Sequence, residues 1–337
     1  MHIFKHTHFD FLRWRVHAIV LSWIVIIAGA AVFMTKGIPL GIEFAGGTAV
    51  IVEFTEPNHV PTVQQVRAAL DTSFPGGGQN IIVQTFGDSS RHQIMIRVPH
   101  VGAEQGTQLS QTKQQVVDAL TKGGVGPFKE TGTQIVGPAV GKELRDKAFL
   151  ATLFSLIGIL AYLAFRFQFS FGVGAVIATI HDLLITMAFL AFFRYDMSLN
   201  VIAAILTMTG FSTNDTIVIF DRIRENLRGM RRDSLHHVIN ASINQTLGRT
   251  VITSGTALLT ALALFFFGGE VLHGFAFTMV VGIITGTYSS IFIAAAIVSF
   301  WRGSAPTRAG AHAPAASAAV PQQPQRKQKP QRKARVS

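Results

Sequence analysis

The sequence predicts an α-helical membrane protein: six transmembrane helices, with an extracytoplasmic ferredoxin-like α+β domain inserted between the first and second helices. Of the 337 residues, 49% are hydrophobic and 14% are charged, and the mean hydropathy is +0.39. That composition is typical of an integral membrane protein rather than of a soluble globule. Six apolar stretches are long enough to cross a hydrocarbon core of roughly 30 Å. A segment of soluble composition separates the first stretch from the other five.

The chain begins with a short basic segment, residues 1–15, and a first apolar span, residues 16–35. The span is long for a signal peptide and does not end in an A-x-A cleavage pattern, so we expect a retained anchor. A cluster of His2, His6 and His8 raises the question of a metal site. No cysteine or further histidine completes such a site, so a flexible interfacial N-terminus is favoured and no metal is predicted.

Residues 36–147 form the predicted soluble insert, which carries ten basic and ten acidic residues and therefore no net charge. Apolar runs at 48–54, 81–86, 93–98 and 128–136 predict strands, and helical periodicity at 63–70 and 107–120 predicts two helices. The order β-α-β-β-α-β is that of a ferredoxin-like sandwich. The segment GPAVGKE, residues 137–143, differs from a phosphate loop in spacing and has Glu143 where a magnesium-binding Ser or Thr belongs. We therefore predict no nucleotide site, no cofactor and no enzymatic activity.

The remaining spans form a predicted five-helix membrane block, residues 148–300, followed by a basic tail, residues 301–337. The spans lie at 148–165, 171–193, 199–220, 251–267 and 275–300. Gly282 and Gly286 form a G-x-x-x-G pair, which indicates either close helix packing or ordinary tolerance of glycine in lipid. The tail has the composition of a disordered segment. Its basic residues predict weak attraction to membrane lipids, and no aromatic residue interleaves them for specific nucleic-acid binding.

Arginine and lysine distribution predicts the orientation of the spans. The N-terminus and the loop between the fourth and fifth spans are rich in arginine, whereas the short loops on the other side carry only Arg194. By the positive-inside rule, both termini are cytosolic and the insert lies outside the cytosol. The chain contains no cysteine, so no disulfide can form in it.

A candidate functional site centres on Asp215, the one charged residue within the fourth span. A carboxylate in hydrocarbon costs at least roughly 2.5–3.5 kcal/mol, so such residues face a bundle interior or a watery cavity and usually serve an ion or proton route. Thr209, Ser212 and Thr216 share a helical stripe with it, and Asn214 precedes it in the chain. The alternative is a purely structural hydrogen bond between helices.

Two further residues belong to the candidate proton pathway. Asp182 lies near the middle of the third span, beside His181, for which an interhelical hydrogen bond is favoured over a proton-shuttle role. Arg249 stands where a basic loop meets the fifth span, and it is either an interface anchor or a partner for Asp215. A guanidinium in contact stabilises a charged carboxylate, and separation favours its protonation. A pair that makes and breaks contact is therefore a plausible device for loading protons.

Four segments together carry a resemblance to a known family. They are NDTIVIFDRIREN at 214–226, GIEFAGG at 41–47, GPAVGKEL at 137–144 and INQTLGRT at 243–250. Over about residues 9–300 the chain resembles the SecF family, membrane subunits of the resistance-nodulation-division type that work beside the Sec translocon. Glu43 stands where that family usually has Asp, which keeps the charge.

The resemblance implies a half-transporter in the bacterial inner membrane, with protons as the coupling ion and the insert in the periplasm. It implies SecD as a partner, together with the SecYEG translocon, a YajC-like accessory subunit and the unfolded polypeptide in transit. The family's proton-pathway roles fall on Asp215 and Arg249. Two alternatives remain: an exporter of small molecules or lipids with the same fold, and an intramembrane aspartyl protease that uses Asp182 and Asp215 as a dyad sharing one proton.

Overall fold

A computed structural model describes residues 9–56, 60–71, 73–74, 81–86, 92–99, 106–166 and 169–303. His2, His6 and His8 lie outside these ranges, as does the tail from residue 304 onward. In chain order the elements are a 3-10 turn Leu12–Trp14, α1 Arg15–Lys36, α2 Ile42–Ala45, β1 Gly47–Phe54, α3 Val63–Asp71, β2 Ile82–Phe86, β3 Gln93–Pro99, α4 Gly106–Lys122, β4 Phe128–Val136, α5 Pro138–Arg166, α6 Phe169–Phe192, α7 Leu199–Gly229, α8 Leu235–Phe267, α9 Glu270–Ser289, a π-helical turn Ser290–Ala294 and α10 Ala295–Gly303.

The six predicted spans are confirmed as helices. In the described part of the chain, six are long and apolar enough to cross a membrane, at 12–36, 139–163, 170–192, 199–229, 235–267 and 271–301. Two of them are longer than a bilayer requires, since α7 has 31 residues and α8 has 33. Their facing ends are joined by a short turn at residues 230–234 and form a helical hairpin.

The insert folds as the predicted β-α-β-β-α-β sandwich. Its four strands form one antiparallel sheet in the order β2-β3-β1-β4. Alternate residues of β1, namely Val50, Val52 and Phe54, point to one face and are almost fully buried, as the two-residue period of a strand requires. Leu70 of α3 and Leu120 of α4 are fully buried in the same core. Each such side chain stabilises the fold by about 1.5–3 kcal/mol.

The membrane block is built around α7 and α9, which pack closely along their length. A Cβ atom on Gly282 would lie 2.7 Å from Cβ of Met208, and one on Gly286 would lie 2.7 Å from Cβ of Ser212. The G-x-x-x-G pair therefore allows close contact, which decides between the two interpretations that the sequence left open. The helices α1, α5 and α8 lie at the periphery, because fewer than a fifth of the residues in their apolar windows are buried.

The insert is fixed to one end of the bundle by backbone hydrogen bonds. The amide of Gly41 donates to the carbonyl of Met197 at 2.7 Å, and the amide of Met197 donates to the carbonyl of Pro39 at 2.8 Å. Gly141, at the start of α5, packs on α2, where an added Cβ would lie 3.4 Å from the carbonyl oxygen of Glu43. The segments GIEFAGG and GPAVGKEL thus pack against each other where the insert joins the membrane block.

Candidate functional site

Asp215 lies on α7 inside the bundle and is only 3% exposed. Its Oδ2 atom accepts a hydrogen bond of 2.9 Å from the hydroxyl of Ser254 on α8. In the described residues no basic side chain lies within 4.0 Å of this carboxyl group. A hydroxyl compensates a buried carboxylate far less than a cation does. Asp215 is therefore a poorly compensated carboxyl group inside the bundle.

Arg249 is placed on α8, one and a half turns before Ser254 in the chain, and its side chain is exposed. In the described part of the chain, no ion pair joins it to Asp215. The structure therefore holds the two residues in a separated arrangement. Their closing into contact stays a prediction.

Asp182 on α6 has a fuller set of partners than Asp215 and is 1% exposed. Its Oδ2 atom accepts hydrogen bonds from Ser212 of α7 at 2.5 Å and from Ser289 of α9 at 2.8 Å. Its Oδ1 atom lies 2.9 Å from Nδ1 of His181. These contacts join the three central helices through one carboxyl group, an arrangement that a hydrogen-bonding role explains by itself.

A π-helical turn interrupts the sixth span next to this carboxyl group. It runs over Ser290–Ala294, directly after Ser289. The hydroxyls of Ser290 and Thr216 form a hydrogen bond of 2.8 Å, so both neighbouring serines reach polar groups on other helices. Single π-helical turns occur frequently at functional sites. Two consecutive hydroxyls at the start of this turn thus bind two different helices, α6 and α7.

The polar cluster extends from Asp182 to the first span. The ring of His181 stacks near that of Tyr288, with centroids 6.4 Å apart. The hydroxyl of Tyr288 donates to the carbonyl of Ala18 at 2.6 Å and lies 3.3 Å from the hydroxyl of Ser22. Hydrogen bonds, together with this one ring contact, therefore connect α1 to α7 across the bundle.

The helical hairpin at the far end of the bundle from the insert is held by side-chain amides. Gln245 of α8 accepts hydrogen bonds from Arg222 at 2.6 Å and from Asn226 at 2.9 Å, both on α7. Asn244 binds the N-terminal segment, accepting from the amide of Phe9 and donating to its carbonyl. Two of the segments that carried the resemblance, around Arg222 and Asn244, thus fix these elements to one another.

At the opposite end, a buried arginine joins the insert to the membrane block. Arg97 of β3 donates to the carboxylate of Asp196, in the loop before α7, and its side chain is 8% exposed. It lines a cavity of about 410 Å³ between the free face of the sheet and the bundle, together with Gln84, Tyr195 and His273. Nε of Arg97 is buried and has no hydrogen-bond partner among the described residues.

Of the residues that the sequence singled out, Ser212 is hydrogen-bonded to Asp182, and the others have separate partners or positions. Ser212 and Thr216 make interhelical hydrogen bonds, whereas the Thr209 hydroxyl donates to the carbonyl of Ile205 on its own helix. Asn214 is exposed and lies on a different face of α7 from Asp215. Sequence reasoning missed four partners of the cluster: Ser254, Tyr288, Ser289 and Ser290. The consecutive serines in an otherwise apolar span were the signal available for finding two of them.

The geometry does not bring Asp182 and Asp215 together as a dyad. Each carboxyl group binds its own serines, and no hydrogen bond between the two exists in the described part of the chain. Within the same ranges no group of three or more His, Cys, Asp or Glu side chains is arranged to hold a metal ion.

Six membrane-spanning helices around buried carboxyl groups, with an α+β domain inserted after the first, define the chain as a multi-pass membrane protein. The family model described as protein export membrane protein SecD/SecF, C-terminal, matches residues 116–304, and the SecD/SecF GG motif matches residues 31–57. The chain belongs to the SecF family of protein translocase subunits.

Named relatives and solved structures agree with this assignment. The SecF subunit of Desulfurispirillum indicum is 41% identical over 301 residues, which cover 88% of this chain and 93% of that protein. The SecF subunit of Escherichia coli O157:H7 is 36% identical, with 86% of each chain covered. The crystal structure of SecDF from Thermus thermophilus, a translocon-associated membrane protein, superposes with a TM-score of 0.78 at 35% identity. That superposition covers 90% of this chain but 40% of the SecDF chain.

Proposed function

We propose that this protein works with SecD as a membrane motor that uses the proton motive force to promote a late stage of protein translocation. The observation that carries the proposal is Asp215, a buried carboxyl group in the central helix with one hydroxyl partner and no cation in contact. A carboxyl group of this kind changes between charged and neutral forms when its surroundings change. Arg249, on the neighbouring helix, supplies the charge that resets it.

The membrane potential supplies enough free energy to drive such a step. Moving one elementary charge through the full membrane is worth about 2.3 kcal/mol per 100 mV. A charged carboxylate at the centre of a helix costs roughly 2.5–3.5 kcal/mol on insertion scales. The two quantities are of similar size, so the membrane potential can offset the cost of deprotonating Asp215 inside the bundle.

Helix α7 couples the proton site to the insert. It is a continuous helix of 31 residues, or about 46 Å at 1.5 Å per residue. Its first turn is capped by Ser198 and follows Asp196 and Met197, which contact the insert directly. A shift of α7 on protonation of Asp215 would therefore reach the insert without a flexible linker. The insert is the part that acts on the translocating polypeptide.

We assign the complex and its location from the family and the charge distribution. This chain matches 40% of the SecDF chain, and SecD supplies the remaining part of the complex. The complex acts beside SecYEG, with a YajC-like subunit, in the bacterial inner membrane. Arginines concentrate around 222–232, at the bundle end opposite the insert, and by the positive-inside rule this asymmetry supports cytosolic termini and a periplasmic insert.

The two alternatives receive less support. An exporter of small molecules with this fold needs two membrane halves and two external domains to form a pathway, and one half with one domain is described here. A protease needs two carboxyl groups that share a proton. Asp182 and Asp215 have separate sets of hydrogen-bond partners.

Reconstitution tests the proposal directly. SecYEG vesicles are prepared with SecD alone, with this chain alone or with both, and translocation is started with ATP and completed under an imposed proton gradient. We expect completion of translocation only when both subunits and the gradient are present. Equal completion without this chain, or without the gradient, would contradict the proposal.

A further inference from the structure

A polar pocket opens at the end of the bundle opposite the insert. It has a volume of about 400 Å³ and lies between the last turn of α5 and the last turns of α7. Five charged residues line it: Arg166, Asp221, Arg224, Glu225 and Arg228. None of these residues belongs to the cluster around Asp182 and Asp215, so the pocket requires a separate explanation.

The balance of charge in the pocket favours an anion. Oε2 of Glu225 accepts a hydrogen bond of 2.6 Å from Arg222, so a cation outside the pocket already compensates that carboxylate. The lining holds three guanidinium groups and, besides Glu225, one further carboxylate, Asp221, so its net charge is positive. Nε of Arg224 is buried and has no hydrogen-bond partner among the described residues. A ligand with acceptor oxygens would satisfy that donor.

The pocket also meets the apolar surface of the bundle. Arg166 ends α5, and Phe165 beside it is 93% exposed. Farther along the same helix, Tyr162, Ile157 and Phe154 are each at least half exposed. A basic site at the end of an exposed apolar helix face fits a ligand with an anionic head and hydrocarbon chains. Basic pockets between transmembrane helices are known to bind anionic lipid head groups.

We propose that this pocket binds the phosphate group of an anionic phospholipid, whose acyl chains lie along the exposed face of α5. Arginine suits the task because its planar guanidinium group donates two parallel hydrogen bonds to a phosphate. The lipid joins the end of α5 to the last turns of α7. It thereby stabilises the helical hairpin formed by α7 and α8.

Native mass spectrometry of the full-length protein tests the proposal. The protein is loaded with phosphatidylglycerol or with phosphatidylcholine, and the bound lipid is counted during stepwise removal of detergent. We expect selective retention of phosphatidylglycerol. Arg224→Gln and Arg228→Gln should each weaken it about fivefold, the effect of one basic residue near an anionic surface. Arg232→Gln removes an equal charge from an exposed position outside the pocket and should leave retention within twofold of the unmodified protein.

Three results would overturn the proposal. Equal retention of both lipids would exclude recognition of the head-group charge. Equal loss in Arg232→Gln and Arg228→Gln would show that general attraction, rather than the pocket, holds the lipid. Displacement of the lipid by millimolar glycerol 3-phosphate would assign the pocket to a soluble phosphate compound. Arg228 is exposed, so its variant keeps the test valid even if Arg224→Gln perturbs folding.

Discussion

Arg97, on a strand of the insert, donates a hydrogen bond to Asp196, in the loop that leads into the fourth span. The arginine side chain is 8% exposed and the aspartate side chain 25% exposed, so the pair is largely withdrawn from water. The two residues are 99 positions apart in the sequence, yet they connect the insert to the start of the helix that carries Asp215.

Breaking this pair should loosen the insert on the membrane block. Arg97→Met leaves Asp196 without its cation, and Asp196→Asn weakens the acceptor for a buried guanidinium group. We expect each change to destabilise the docked arrangement by about 1–3 kcal/mol, the cost of leaving a buried polar group poorly paired. Hydrogen exchange of the segments around Gly41 and Met197 measures the effect and should become faster in both variants.

Arg67→Met is the matched control, since Arg67 is exposed on α3 and the change removes the same charge from the insert. It should leave exchange at the junction unchanged. Unaltered exchange in both Arg97→Met and Asp196→Asn would show that the ion pair does not hold the insert in place.

Gly286 should tolerate no side chain, because it touches the helix that carries the proton site. A Cβ there would lie 2.7 Å from Cβ and 3.2 Å from Cα of Ser212, so α7 and α9 would have to separate. We expect Gly286→Ala to destabilise the bundle by about 1–3 kcal/mol, the usual cost of overpacking. Thermal unfolding in detergent measures this change.

Gly158→Ala provides the comparison on α5, where a Cβ would meet no atom within 4 Å. Because alanine has a higher helix propensity than glycine, this variant should be as stable as the unmodified protein or slightly more so. Equal unfolding temperatures for Gly286→Ala and Gly158→Ala would contradict the close contact of α7 with α9.

The orientation can be tested with single cysteines, since the chain contains none. Gln64 is exposed on α3 of the insert, and Asp233 is exposed in the turn between α7 and α8. An impermeant maleimide applied to intact cells should label Gln64→Cys and should label Asp233→Cys only after the membrane is permeabilised. The opposite pattern would reverse the orientation assigned from the arginines.

Acid should weaken the insert through Glu130. A hydrogen bond from Lys113, followed by one from Thr133, lowers the pKa of this carboxyl group below its ordinary value of 4.5. Because the pKa is lower in the folded state, the contribution to stability is present above about pH 4.5 and is lost as the pH falls through the folded-state pKa. The pair is partly exposed, so its contribution is about 0.5 kcal/mol.

Lys113→Met should remove most of this pH dependence. The measurement is hydrogen exchange of β4 in the full-length protein between pH 6 and pH 3, corrected for the intrinsic exchange rate at each pH. A loss of protection on acidification that is identical in the variant would show that Lys113 does not set the titration of Glu130.

The sequence was sufficient for the architecture because each element has a strong local pattern. Val50, Val52 and Phe54 alternate as a strand buried on one face must, and the apolar spans are too long to be anything but membrane helices. The isolated charge of Asp215 also located the candidate site, because a carboxyl group in hydrocarbon needs a special environment.

The partners within the site could not be predicted, because they depend on helix rotation and on contacts between distant segments. Ser254 is 39 residues from Asp215, and Ser289 is 107 residues from Asp182. Ser289 and Ser290 stand at the start of a π-helical turn, so a regular helical period does not describe the residues that follow them. No local sequence pattern predicts the contact between Arg97 and Asp196, because only the docking of the insert on the bundle brings them together.

The central claim is that Asp215 carries the proton that drives translocation, whereas Asp182 mainly holds helices together. Asp182→Asn keeps an oxygen that accepts from Ser212 and Ser289, so it should cause the smaller loss. Arg249→Ala should impair the proton-driven step as strongly as Asp215→Asn if the guanidinium group resets the acid. Hydrolysis of a membrane substrate by the unmodified protein, lost equally in both Asp variants, would instead favour the protease.

The most direct measurement is the rate of proton-driven translocation in vesicles that contain Asp215→Asn with SecD and SecYEG. The amide matches the carboxyl group in size and still accepts from Ser254, but it cannot titrate. The variant should insert, bind SecD and leave ATP-driven initiation intact, while the acceleration by an imposed proton gradient disappears. A well-expressed Asp215→Asn protein that still accelerates translocation under the gradient would contradict the mechanism.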